Sequence, residues 1–181
     1  VLKKSLFALV LSCAVFGTAV AQDIKITPIM DPGTLAVNAG VGYGWSLEVA
    51  GGAELVMLQF MVADVVPLTV GAAARAVASI GWLNSVYLDA AGMGTLHVSF
   101  KGLKPLGLPA DVQDQLDRVD SYIGIGIGLG VLGDRFGKLP IYLTSMNGYS
   151  YFLTDNFALN VEYGYASYWG GYGQLGVLFK L

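Results

Sequence analysis

From residue 34 onward the chain alternates bulky apolar residues with small or polar ones, the period-two pattern of strands whose faces meet different surroundings. Segment 34–47 sets Leu35, Val37, Ala39, Val41, Tyr43, Trp45 and Leu47 against Asn38, Gly40, Gly42 and Gly44. Segment 68–82 sets Leu68, Val70, Ile80, Trp82 and a run of alanines against Thr69, Gly71, Arg75 and Ser79. In 121–132, Ile123, Ile125, Ile127 and Leu129 alternate with Gly124, Gly126, Gly128 and Gly130. Segment 157–166 and the final run from Gln174 to Leu181 repeat the scheme. Segment 93–103 is less regular, 53–63 is apolar on both faces, and 139–152 loses phase around Ser145 to Gly148, as a β-bulge would cause. Turn residues separate the segments at Asp64 to Pro67, Gly133-Asp134, Leu153 to Asn156 and Trp169 to Gly171. Eight strands result, an even number, each long enough to cross a bilayer at a tilt.

Which face carries the charge decides the solvent. The bulky faces are almost free of charge, while the small faces hold Asn, Ser, Thr, Gln and the few strand charges: Glu54, Arg75, Lys101, Glu162 and Lys180. A lipid-facing Arg or Lys at the bilayer midplane costs roughly 2–4 kcal/mol, so this segregation suits hydrocarbon outside and a polar lumen inside. Closure follows, because an open sheet edge in hydrocarbon leaves backbone groups unpaired. The predicted fold is all-β, a closed antiparallel transmembrane barrel of about eight strands. A helical span over 55–74 would carry Asp64 and Pro67 near its middle, which argues against it. Composition agrees: hydrophobic residues make up 55% and charged residues 13%, against about 25% charged in soluble domains. A net charge of −3 with scattered Lys and Arg gives no footprint for nucleic acid.

The N-terminus has a different pattern. Lys3 and Lys4 precede an apolar run from Leu6 to Phe16, and Ala19-Val20-Ala21 supplies a small-x-small cleavage site. We read residues 1–21 as a signal peptide cleaved after Ala21, 22–33 as a periplasmic N-terminal segment, and 34–181 as the barrel domain. Cys13, the single cysteine, lies within the signal; lipidation there is the second reading. With the signal removed, the chain has no thiol chemistry.

Eight strands enclose room for side chains or one small ligand. The predicted lumen belt is Asn38, Arg75, His97, Asn160, Glu162 and Gln174, with Arg75, His97, Glu162 and Gln174 at similar heights. Arg75 and Glu162, four strands apart, face each other and pair. The glycine ladder of 121–132 makes room for side chains from opposite strands and is not a phosphate loop, which needs a helix after it. Tyr43, Trp45, Trp82, Tyr163 and Tyr165 form one aromatic girdle; Phe100, Phe157 and Phe179 form the other. Segment 104–120 is a helical periplasmic insert starting at Pro109, its face of Val112, Leu116 and Val119 covering the barrel mouth. With both chain ends periplasmic, Asp155-Asn156 and Asp114 lie on the inner side, and Asp89, Arg135 and Trp169-Gly170 outside.

These residues resemble the small outer-membrane β-barrel proteins of diderm bacteria, the OmpA, OmpX and OmpW types. The resemblance is most specific where "YSYFLTDNFALNVEYGYA" is similar to the turn and seventh strand of such barrels. It implies an outer-membrane location, lipid as surroundings, and an assembly machinery that reads the final strand, here Leu175, Val177, Phe179 and Leu181. The family usually ends in an aromatic residue; this chain ends in Leu181, with Phe179 two before. Three functions follow in order: a structural or surface-interaction barrel, a narrow conduit for small or apolar solutes suggested by Leu55 and Met57 on a lumenal face, and a lipid-modifying enzyme built on His97. Some relatives use a histidine with a serine and a carboxylate, but His97 has only Thr95 and Ser99 on its face. No catalytic set, metal set or cofactor is expected.

Overall fold

Eight strands pair antiparallel in chain order, and the last returns to pair with the first, closing a barrel. The computed structural model describes residues 28–43, 46–62, 66–80, 86–101, 109–132, 141–166 and 170–181. The signal segment, Trp45, Trp82, Asp64, Arg135 and Trp169 lie outside these residues. The strands are β1 (Leu35–Tyr43), β2 (Leu47–Val62), β3 (Val66–Ile80), β4 (Val86–Ser99), β5 (Val119–Leu132), β6 (Ile141–Phe152), β7 (Phe157–Ala166) and β8 (Gly170–Lys180). A short helix, α1 (Ala110–Leu116), lies between β4 and β5. No helix among the described residues is long and apolar enough to cross a membrane.

Antiparallel order puts Leu35, Lys180, α1 and the 153–156 turn at one end, called the terminal end below. Every charge within the described strands, namely Glu48, Glu54, Arg75, Asp89, Asp120, Glu162 and Lys180, shares the lumenal alternation of its strand. The outer rows are apolar and exposed over most of their length, as at Val41, Ile125, Leu143 and Leu175. In water this surface would be an aggregation hazard; around a closed barrel it is what a bilayer requires.

Several sequence expectations need correction. Segment 34–47 is not one strand: β1 ends at Tyr43, and Leu47 already belongs to β2. β4 begins at Val86 and stops at Ser99, so Lys101 falls beyond it. Asp89 is therefore a buried lumenal residue of β4 and not part of an outer connection. Segment 139–152 keeps its phase, pairing without a shift from Leu129–Ile141 to Val119–Tyr151. Ser145 and Asn147 simply lie on its outer row, where their polarity disguises the alternation. The bulges fall instead in β2, between Val56 and Leu58, and between β4 and β5 at Leu88/Asp89.

The β2 bulge explains why 53–63 looked apolar on both faces. Before it, Glu54 and Val56 are buried inside while Leu55 is exposed outside; Met57 is the extra residue. Leu55 and Met57 are thus outward, contrary to the lumenal placement that motivated a conduit for apolar solutes.

The terminal mouth is sealed by an unexpected element. Residues 28–33, expected as a free periplasmic segment, tuck Ile29 and Met30 into a buried cluster with Ala36, Val56, Phe152, Ala158 and Leu178. Gly33 (φ 91°) turns the chain through a left-handed conformation that favours glycine, and its N–H donates to Val56 O at 2.8 Å. Lys180 Nζ donates to Ile29 O at 3.1 Å. The predicted apolar face of the insert does not do this work. Val112 is exposed, Val119 belongs to β5, and the buried residue of α1 is Gln113.

Candidate functional site

Above the apolar floor, the lumen is crossed by one continuous polar network. It starts at His97 near the terminal end of β4. His97 Nδ1 lies 2.7 Å from Asp120 Oδ2 on β5, and Nε2 lies 2.8 Å from Glu54 Oε1 on β2. Both ring nitrogens face carboxylates, and only an imidazolium donates at both. Thr95 donates its hydroxyl to the same Glu54 oxygen. Arg75 Nη2 then sits 3.6 Å from Glu54 Oε2, and Arg75 Nε lies 3.7 Å from Glu162 Oε2. Glu162 accepts from Tyr122 Oη and from Gln174 Nε2, each at 2.8 Å. Asn160 Nδ2 donates to Tyr122 Oη at 2.9 Å and to Ser150 Oγ at 3.1 Å. The Tyr122 ring stacks on His97 with centroids 5.3 Å apart, tying the two halves together. Glu54, Glu162 and His97 are only 2–3% exposed.

Of the predicted belt, Arg75, His97, Asn160, Glu162 and Gln174 join this network. Asn38 faces the same lumen, but its Oδ1 meets no hydrogen-bond partner among the described residues. The expected common height is corrected by the register: Arg75 pairs with Ala91, whereas His97 pairs with Thr69, well towards the terminal end. Sequence reasoning missed Asp120, Tyr122 and Ser150 and put Glu54 on the small face but outside the belt. A tyrosine at 122 on the glycine face of β5, and a lone carboxylate in the apolar β2, were the available signals.

The glycines serve this packing differently from the expectation. A Cβ at Gly124 would lie 2.7 Å from Met146 Cε, and one at Gly128 would lie 2.7 Å from Tyr142 Oη. Met146 and Tyr142 belong to β6, the strand beside β5, so lumenal side chains lie flat over the neighbouring strand and not across the barrel. Tyr122 lies over Gly148 of β6 in the same way. The expected outcome for Gly148→Val is overpacking of Tyr122, with a stability loss of about 1–3 kcal/mol. Urea titration of the folded barrel measures it.

The aromatic residues divide between the ends. Tyr43 and Tyr163 flank Gly173 on the outer surface, while Phe157 and Phe179 meet near the terminal end with centroids 4.7 Å apart and rings tilted by 37°. Phe100 follows β4 at that end and is half-buried. Tyr165 lies in β7, with its side chain outside the described residues. Leu175, Phe179 and Leu181 are exposed on the outer side of the closing strand, with Val177 half-buried beside them. Among the described residues no cluster of His, Cys, Asp or Glu has the form of a metal site.

Chemically the network holds charge, and among the described residues both His97 nitrogens are taken by carboxylates. A serine-type hydrolase needs a hydroxyl on the imidazole nitrogen opposite the orienting carboxylate. Here that nitrogen meets Glu54, and the Thr95 hydroxyl is turned to the carboxylate.

No protein-family model and no curated protein matches the chain. Among solved structures, the outer-membrane enzyme PagL matches with a TM-score of 0.54 at 12% identity, over 82% of this chain and 98% of that one. The Yersinia pestis outer membrane protein Ail matches at 0.48 and 12% identity, over 82% and 99% of the two chains. A de novo designed transmembrane β-barrel matches at 0.45 and 26% identity, over 83% and 98%. The likeness to PagL is one of fold: this chain is a closed eight-stranded antiparallel transmembrane β-barrel.

Proposed function

We propose that this protein is an outer-membrane barrel with a structural or surface-interaction role, and that its lumen does not conduct. The observation that carries this reading is the buried network from Asp120 through Arg75 to Glu162, which ties β2, β3, β4, β5 and β7 together across the interior. The Ile29–Met30 floor beneath it adds a second barrier. His97 acts as a structural cation between two carboxylates, so no catalytic role is assigned to it. The outer row of β8 is the surface offered to an assembly machinery.

Planar bilayers containing the purified barrel should show only leak current. Stable, stepwise conductance would overturn the closed-lumen reading. Orientation is tested separately, because Cys13 leaves with the expected signal peptide. An impermeant thiol reagent on intact cells should label Arg135→Cys, in the connection between β5 and β6, and miss Asp114→Cys on α1. Labelling at 114 alone would invert the orientation.

A further inference from the structure

The β2–β3 hairpin does not end where the barrel does. β1 stops pairing with β2 at Leu35–Leu55, and β4 stops pairing with β3 at Val98–Leu68. The β2–β3 ladder runs on to Val62–Val66, so the hairpin outruns the neighbouring ladders at the terminal end, with Pro67 and Thr69 buried on its β3 half. Alternation should hide every second residue of such a strand. Instead all of Met57–Val62 is exposed, including Leu58 at 63% and Phe60 at 45%. Gln59 is the one polar residue among these, and neither Met57–Val62 nor Val66–Val70 carries a charge.

We propose that the β2 half of this hairpin is a membrane-docking element, seated among acyl chains at the headgroup boundary of the leaflet on the terminal side. The inference rests on the barrel's spanning a membrane. Its occupant is lipid because the surface is continuous with the lipid-facing wall. Leu58 opposite Val70, and Phe60 opposite Leu68, extend the outer column of Leu55, Leu96 and Val98. An uncharged apolar strand of this kind left in water is a site for aggregation.

A second argument limits the depth. Beyond Val56, whose N–H and C=O are taken by Thr34 and Gly33, the β2 ladder among the described residues lies on the β3 side only. Unpaired backbone groups are not tolerated facing the hydrocarbon core. The hairpin therefore stays shallow, where headgroups and water reach its open edge. On the other side of the barrel the outer column of β8 ends at Leu181, one step beyond Phe179, and β7 starts at Phe157 beside exposed Asp155 and Asn156. The band is lopsided, and the hairpin anchors the barrel on its β2–β3 side.

The test places nitroxide labels at Leu58→Cys or Phe60→Cys in the full chain carrying Cys13→Ser, folded into vesicles of phosphatidylethanolamine and phosphatidylglycerol. Ile125→Cys reports the lipid-facing wall and Asp155→Cys the water at the terminal end. Labels at 58 and 60 should be broadened by oxygen and lose most of the broadening by an aqueous nickel chelate seen at 155. Nickel broadening equal to that at 155 would overturn the proposal. Exclusion of both reagents at 58 and 60 would overturn it too, since a protein surface would then cover the hairpin. An aqueous signal at 125 would remove the membrane reading itself, and the docking proposal with it.

Discussion

Arg75→Met should lower the stability of the folded barrel by about 3–5 kcal/mol, the usual cost of removing one partner from a buried ion pair. Arg75 is the bridge between Glu54, 3.6 Å away, and Glu162, 3.7 Å away. Without it Glu162 stays buried with no cation beside it among the described residues, while Glu54 keeps His97. Glu162→Gln should also destabilise, though Tyr122 and Gln174 can still bond the amide. The double replacement should cost less than the sum of the two, because the second change removes a charge that the first has stranded. Urea unfolding in vesicles, followed by tryptophan emission and by mobility of unheated samples on gels, measures all three. Strictly additive losses would mean that the two groups are neighbours without being coupled.

His97→Leu should be of similar size, again about 3–5 kcal/mol, because it strands the buried Asp120 and takes one of two cations from Glu54. Asp120 lies at 2.7 Å from one ring nitrogen and Glu54 at 2.8 Å from the other. Asp120 has no other hydrogen-bond partner for its side chain among the described residues, so Asp120→Leu should recover much of the loss in a His97→Leu background. Glu54 keeps Arg75 and Thr95. A catalytic histidine behaves differently: its removal abolishes a reaction and leaves folding nearly intact. Unchanged stability in His97→Leu would therefore reopen the lipid-modifying alternative.

How far the sequence reached follows from what period two encodes. Alternation reports which face a residue occupies, and closure in hydrocarbon forces charges to the inner one. From this the strand number, the apolar exterior and the opposition of Arg75 and Glu162 were legible without coordinates. Height in the barrel is another matter. It depends on the stagger accumulated around the closed sheet, which no single strand encodes. His97 thus read as level with Arg75, when the register sets it opposite Thr69 and beside Asp120.

Three further features also needed the tertiary structure. The bulge at Met57 changes phase inside the apolar stretch Leu55 to Leu58, where the sequence carries no mark of it. Ser145 and Asn147 on an outer row imitated a bulge that β6 does not have. Residues 28–33 show no strand pattern, and the burial of Ile29 and Met30 depends on the apolar mouth formed by Val56, Phe152 and Leu178 from three separate strands. The sequence by itself determined which surfaces meet lipid and which meet the lumen, because solvent preference is a property of each residue. Only the tertiary structure decided which lumenal groups meet one another and what closes the mouth, because both depend on stagger and on contacts between strands distant in the chain.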